Sequence, residues 1–94
     1  MTAWFYILRL QSGSLYIGAT KNLEKRYAEH RAGSASRTTS IDPPVSLEYS
    51  EEHESFSIAR QREAQIKRWS RAKKEALVTG DKEKLRALSK SKKN

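Results

Sequence analysis

Trp4-Phe5-Tyr6-Ile7-Leu8-Arg9-Leu10, then Gln11-Ser12-Gly13, then Ser14-Leu15-Tyr16-Ile17-Gly18, is the stretch on which the fold turns. The first segment is dense in aromatic and branched side chains, which suit a strand. With a two-residue repeat, Trp4, Tyr6, Leu8 and Leu10 share one face, and Phe5, Ile7 and Arg9 share the other. Both faces are mostly apolar, so this strand is expected to be central and covered on both sides. Gln11-Ser12-Gly13 is a turn signal. A three-residue hairpin loop needs its last residue in the left-handed region, which Gly13 enters without steric cost. Such a loop pairs position 8 with 16 and position 6 with 18. It thereby places Tyr6 and Tyr16 on the same face, offset along the sheet by roughly 7 Å. A two-residue loop at Ser12-Gly13 would put them on opposite faces.

Working outward, residues 22–30 read as a helix capped by Asn22 or Thr20. Leu23 and Tyr27 point inward, Arg26 and His30 occupy the adjoining face, and Glu24, Lys25 and Glu29 are expected in solvent. Ala32-Gly33-Ser34 ends the helix. Residues 33–44, rich in Gly, Ser and Thr and closed by Pro43-Pro44, read as a loop without apolar period. Residues 45–50 alternate and predict a third strand at a sheet edge. Glu48, Glu51, Glu52 and Glu54 then form an acidic patch expected to repel a phosphate backbone.

Ser55 or Ser57 opens a helix to about Trp69, with Ile58, Ala59, Ile66 and Trp69 at inward positions. Glu63 falls on that same face, where a carboxylate needs a partner or a cation. The plainer reading is a salt bridge to a neighbouring arginine, such as Arg62 or Arg26. Ser70 caps a short helix through Leu77, Gly80 breaks it, and Asp81 caps a last helix carrying Leu85 and Leu88. Residues 89–94 are lysine-rich and expected to fray.

A length of 94 residues predicts one small domain with a lean core. The composition, 36% apolar and 32% charged, suits a soluble chain, and no stretch approaches a transmembrane length. No secretory signal is visible, so a cytoplasmic location is expected. The absence of cysteine excludes disulfides and thiolate metal sites and leaves the redox compartment open. Two histidines do not suit a histidine-rich zinc site. The formal charge of +8 is uneven: residues 1–59 carry six basic and seven acidic groups, residues 60–94 thirteen and four. A field of one sign over part of a small protein attracts polyanions, nucleic acid above all.

Tyr6, Tyr16, Arg26, His30 and Glu63 together suit phosphodiester cleavage. The carboxylate would hold a divalent cation, the guanidinium would fork onto phosphate oxygens, and a phenol or imidazole would position or deprotonate water. Taken singly, each has a plainer role. The tyrosines suit packed strand aromatics, Arg26 a surface position, and His30 a helix end.

The sequence resembles a GIY-YIG nuclease domain, in particular the small standalone UPF0213 proteins. The resemblance runs from about residue 2 to 79. It is carried by Trp4-Phe5-Tyr6, Tyr16-Ile17-Gly18, Thr20-Lys21-Asn22-Leu23 with Arg26 and Glu29-His30, Arg62-Glu63-Ala64-Gln65-Ile66-Lys67, and Trp69-Ser70-Arg71-Ala72-Lys73-Lys74. It implies an α+β fold with a small three-stranded antiparallel sheet flanked by helices. The nuclease-like domain would span residues 1–79 and a basic helix and tail residues 80–94.

It further implies roles. Tyr6 would be general base, Tyr16 would stand near the attacked phosphate, Arg26 would stabilise the pentavalent phosphate, and Glu63 would ligate a single Mg²⁺ or Mn²⁺. His30 would belong to the site, and Gly18 would let the backbone pass close to it. Two positions depart from the pattern. Trp4 replaces the first glycine, and Ala19 stands where the repair-nuclease branch has a lysine, a place Lys21 or Lys67 would have to fill. The expected function is a metal-dependent endonuclease on DNA, structured or branched, with weak sequence preference. Lys21, Arg37, Lys67, Arg71 and Lys74 are the candidate backbone contacts. Alternatives are RNA as substrate, a nucleic-acid-binding module with little or no catalysis, and an accessory role docking a protein through residues 33–44.

Overall fold

The computed structural model describes residues 2–91. Its elements are β1 (Ala3–Leu10), β2 (Leu15–Thr20), α1 (Leu23–Arg31), α2 (Arg37–Ile41), β3 (Pro44–His53), α3 (Phe56–Lys67), α4 (Arg71–Thr79) and α5 (Lys82–Ser91). The architecture is α+β, an antiparallel sheet in the order β2-β1-β3 with helices against it. The apolar run of β1 is thus explained: it is the middle strand, and Phe5, Ile7 and Leu8 are fully buried.

The hairpin closes through the three-residue loop. Leu10 N–H donates to Ser14 O at 2.9 Å, Gly13 N–H donates to Leu10 O at 2.9 Å, and Gly13 has φ +94°. Leu8 therefore faces Tyr16 and Tyr6 faces Gly18. Two clusters follow from this parity. Phe5, Ile7 and Ile17 pack with Ile66 and Leu77 on one side, while Tyr6, Leu8 and Leu10 pack with Tyr16, Leu23 and Tyr27 on the other. β2 runs two residues past Gly18, pairing Ala19 with Phe5 and Thr20 with Trp4.

Several expectations are corrected. Residues 33–44 are not all loop: Ser36 Oγ accepts from Thr39 N–H at 3.2 Å and caps the single turn of α2, with Thr39 fully buried beneath it. The hidden side chain is a threonine, so no apolar period marks the turn. β3 extends to His53 and takes in most of the acidic run. Its register against β1 slips between Ile7 and Leu8, and an extra residue of this kind re-aims its neighbours. Glu48 lies in that slip and meets Arg9 Nη2 at 3.3 Å. Glu51 meets Arg62, Tyr49 and His53. Two of the four acids are thereby neutralised, so the run is not a bare repelling patch.

Ser55 caps α3, which packs on the Phe5 side through Ala59 and Ile66, both fully buried. Ile58, expected inside, is 41% exposed. Arg62 forks onto Glu51 at 3.0 and 2.9 Å and fixes α3 against β3. Glu63 does pair with a neighbouring arginine, but the partner is Arg60, with Lys67 on its other oxygen, both on its own helix, and not Arg62 or Arg26.

Ser70 caps α4 and Gly80 ends it at φ +75°, and Asp81 accepts from Lys84 N–H at 3.0 Å to begin α5. α5 carries helix through Ser91, where fraying was expected from residue 89; residues 92–94 lie outside the described residues. No helix of the described residues is long and apolar enough to cross a membrane.

Candidate functional site

One open pocket of about 290 Å³ lies on the Tyr6 side of the hairpin. Tyr6, Tyr16, Gly18 and Ala19 come to it from the hairpin, Arg26 and His30 from α1, Ala35 from the connection, and Phe56, Arg60 and Glu63 from α3. The five candidate side chains therefore line one pocket, coming from four separate elements, β1, β2, α1 and α3.

Local structure explains each placement. Gly18 stands opposite Tyr6, and a Cβ there would come within 2.4 Å of the Tyr6 ring and hydroxyl. The glycine is needed for close approach rather than for an unusual φ. Tyr6, only 3% exposed, rests its ring in that space and holds its hydroxyl 2.8 Å from His30 Nε2. His30 is 1% exposed, and its ring meets those of Tyr6 and Tyr16 edge-on at centroid distances of 5.7 and 5.0 Å. Its other nitrogen, Nδ1, lies 2.8 Å from Thr39 Oγ1. Arg26 reaches Glu29 at 3.4 Å and is otherwise turned to the pocket.

Burial raises the Tyr6 phenol well above its ordinary value, with Tyr16 adding, Arg26 opposing, and Glu63 and Glu29 adding less. Burial also lowers His30, helped by Arg26 and opposed by Glu29. Near pH 7 the pair is a protonated phenol beside a neutral imidazole.

Among the pocket's lining residues Glu63 is the sole carboxylate, and no group of three or more His, Asp or Glu suited to a metal occurs among the described residues. A multidentate protein cage is therefore not on offer. The donor set does fit Mg²⁺ or Mn²⁺ bound as Mg²⁺ commonly is, through one carboxylate with the rest of its shell from waters and substrate oxygens. Glu63 is 14% exposed at an open pocket, but Oε1 lies 3.1 Å from Arg60 Nε and Oε2 2.9 Å from Lys67 Nζ. Arg60 and Lys67 are 62% and 56% exposed, so both are loosely held and displaceable.

The family model for the GIY-YIG catalytic domain matches residues 2–76. The chain belongs to the GIY-YIG family. It is 45% identical over 78 residues to a UPF0213 protein of Natronomonas pharaonis, covering 83% of this chain and 92% of the relative. With a UPF0213 protein of Staphylococcus saprophyticus it shares 41% over 76 residues, 81% and 93% of the two chains. The solution NMR structure of a Bacillus halodurans UPF0213 protein superimposes with TM-score 0.55 at 33% identity, covering 84% of each chain. The solution NMR structure of a protein from E. faecalis does so with TM-score 0.55 at 30% identity, covering 86% of this chain and 88% of that one.

The candidate backbone contacts of this GIY-YIG chain are scattered. Lys21 lies beside the pocket, over the Phe56 ring at 5.6 Å, in an adjoining hollow that shares Ala19, Arg26 and Phe56 with it. Lys67 holds Glu63, and Arg37 is exposed on α2. Arg71 is tied to Glu75 at 3.1 Å and to Gly13 O at 2.7 Å, beside Arg9 and therefore on the opposite side of the sheet. Lys74, half-buried on α4, does not line the pocket. The group in contact with the Tyr6 hydroxyl is His30.

Thr39, Phe56 and Arg60 are not among the residues expected at the site from sequence. Arg60 and Lys67, at i−3 and i+4 from Glu63, were open to the helix-neighbour rule. Thr39 was not, because nothing local marks it as buried.

Proposed function

We propose that this chain takes a nucleic-acid phosphate into the pocket and hydrolyses the phosphodiester there. DNA is the favoured substrate, duplex or branched, with weak sequence preference. The observation that supports this reading is the convergence of Tyr6, Tyr16, Arg26, His30 and Glu63 on one open pocket. Arg26 would fork onto the non-bridging oxygens. Tyr6 would take a proton from water while passing its own to His30 Nε2, 2.8 Å away, because the raised phenol is not ionised beforehand. Tyr16, edge-on to His30, would set the water or the phosphate in place. Glu63 would hold Mg²⁺ or Mn²⁺, which when bound draws charge from the phosphate oxygens and the leaving 3′-oxygen.

A second reading, binding with little or no catalysis, is favoured by the closure of Glu63: both its oxygens already face cations. One experiment separates the two. Purified protein is incubated with duplex, single-stranded and branched DNA and with RNA, in Mg²⁺, Mn²⁺ or EDTA, beside Glu63→Gln. Hydrolysis predicts metal-dependent cutting that Glu63→Gln abolishes while binding persists. Binding without cutting in every metal supports the second reading, and normal cutting by Glu63→Gln removes the carboxylate from the mechanism.

A further inference from the structure

We infer that Thr39, seated by Ser36, is a positioning residue that holds His30 as the Nδ1–H tautomer and leaves the Nε2 lone pair facing the Tyr6 hydroxyl. Four groups form an unbroken line from the pocket into α2: Tyr6 Oη to His30 Nε2 at 2.8 Å, His30 Nδ1 to Thr39 Oγ1 at 2.8 Å, and Thr39 Oγ1 to Ser36 Oγ at 2.9 Å. Tyr6, His30 and Thr39 are all buried, Thr39 completely, so each hydrogen must find an acceptor within the line or at the pocket.

Two arrangements are conceivable. In one, Tyr6 donates to Nε2, Nδ1–H donates to Thr39, and Thr39 donates onward. In the other every arrow reverses: Thr39 donates to Nδ1, Nε2–H donates to Tyr6, and the phenol hydrogen must find an acceptor elsewhere. Among the described residues no other acceptor stands within hydrogen-bond distance of that hydroxyl. Thr39, by contrast, has two outlets at its far side, Ser36 Oγ at 2.9 Å and Ser36 O at 3.5 Å. Ser36 also anchors the threonine through its N–H at 3.2 Å, so the acceptor is held by the same turn that receives its hydrogen. The first arrangement gives the hydrogens of Tyr6, His30 and Thr39 acceptors within the line.

The consequence for proton transfer rests on the hydrolytic reading above. Water would lose a proton to Tyr6 Oη as the Tyr6 hydrogen moves to Nε2. The ring then carries both hydrogens, and Nδ1–H keeps its acceptor in Thr39. With the other tautomer Nε2 already bears a hydrogen and the transfer is blocked.

The test reads the tautomer directly and does not need turnover. Long-range ¹H–¹⁵N correlation on ¹⁵N-histidine protein, with His53→Gln to assign the two rings, should show hydrogen on Nδ1 of His30. Thr39→Val, close in size but without the acceptor, should move the ring wholly or partly to Nε2–H, and Thr39→Ser should restore it. Hydrogen on Nε2 in the parent protein, or an unchanged Nδ1–H ring in a folded Thr39→Val, overturns the inference. The parent spectrum decides even where Thr39→Val does not fold. Where cleavage is seen, Thr39→Val should cut at least about tenfold slower and Thr39→Ser near normally; wrong-tautomer histidines have cost up to about 10⁴. An Nδ1–H ring in a protein that cuts nothing upholds the tautomer and removes the hydrolytic reading alone.

Discussion

Gly18 and Glu63 carry opposite lessons about single residues. At Gly18 the site depends on a missing atom. A Cβ would lie 2.4 Å from Tyr6, and the ring cannot swing away without leaving His30 and a buried seat. Gly18→Ala should therefore keep the fold while displacing the phenol, and cleavage should fall by about 10² or more, the lower range for losing a positioned proton acceptor. A folded Gly18→Ala that cuts normally would show Tyr6 to be dispensable. At Glu63 the proposed metal site turns on whether a divalent cation can displace Arg60 and Lys67. Removing Lys67 as Lys67→Met frees Oε2 from its partner at 2.9 Å. Mn²⁺ should then bind more tightly by calorimetry, because metal no longer displaces an ammonium. Unchanged Mn²⁺ affinity would mean that the pair does not compete for the carboxylate.

At the scale of elements, α3 matters most, because it brings Glu63, Arg60 and Phe56 to a pocket built otherwise from the hairpin and α1. Two things fix it: burial of Ala59 and Ile66, and the Arg62 fork on Glu51. Arg62→Ala should cost about 1.5–3 kcal/mol in urea unfolding, the range for hydrogen bonds to charged groups. It should lower cleavage more than DNA binding, since the carboxylate loses its bearing while Arg26 does not; equal loss of both would show α3 to be anchored by packing alone. The helix was legible from Ser55, Ala59, Ile66 and the misplaced-looking Glu63, and the hairpin was legible because Gly13 admits the left-handed conformation. α2 and the β3 slip were not legible. A one-turn helix resting on a buried threonine has no period, and a slip in pairing depends on what lies opposite. Ile58 misled for a related reason: its place on the helix allowed burial, but no neighbour covers it.

For the whole molecule, charge sets how the stability of the fold depends on pH. Arg60, Arg62, Lys67 and Arg71 all stand in ion pairs, but Glu63 and Glu75 are already counted in the excess of residues 60–94, and only Glu51, the partner of Arg62, comes from outside that segment. Those pairs make the fold sensitive to acid. Hydrogen bonding to Arg9, against burial and with help from Arg71, holds Glu75 at about 2 where 4.5 is ordinary. For Glu51 burial acts upward, but the hydrogen bonds from Arg62, Tyr49 and His53 outweigh it and the net shift is down. Buried His30 is also lowered from 6.5. A group whose folded value is depressed binds its proton more readily when unfolded. Its stabilisation is complete above the unfolded value and is lost as pH falls through the folded one. Unfolding free energy should accordingly be level from about pH 6.5 up to 10, begin to fall below 6.5 through His30, and fall further below 4.5 through Glu51 and, down to about 2, through Glu75. Tyr49, raised to about 12 by burial and its bond to Glu51, adds an alkaline loss between 10 and about 12. Urea titrations from pH 2.5 to 8 check the acid side. Glu75→Gln should flatten only the segment below 4.5, because an amide has no proton to gain; a slope there unchanged in Glu75→Gln would place acid sensitivity elsewhere than the Arg9–Glu75 fork, whose two bonds measure 2.6 and 2.8 Å.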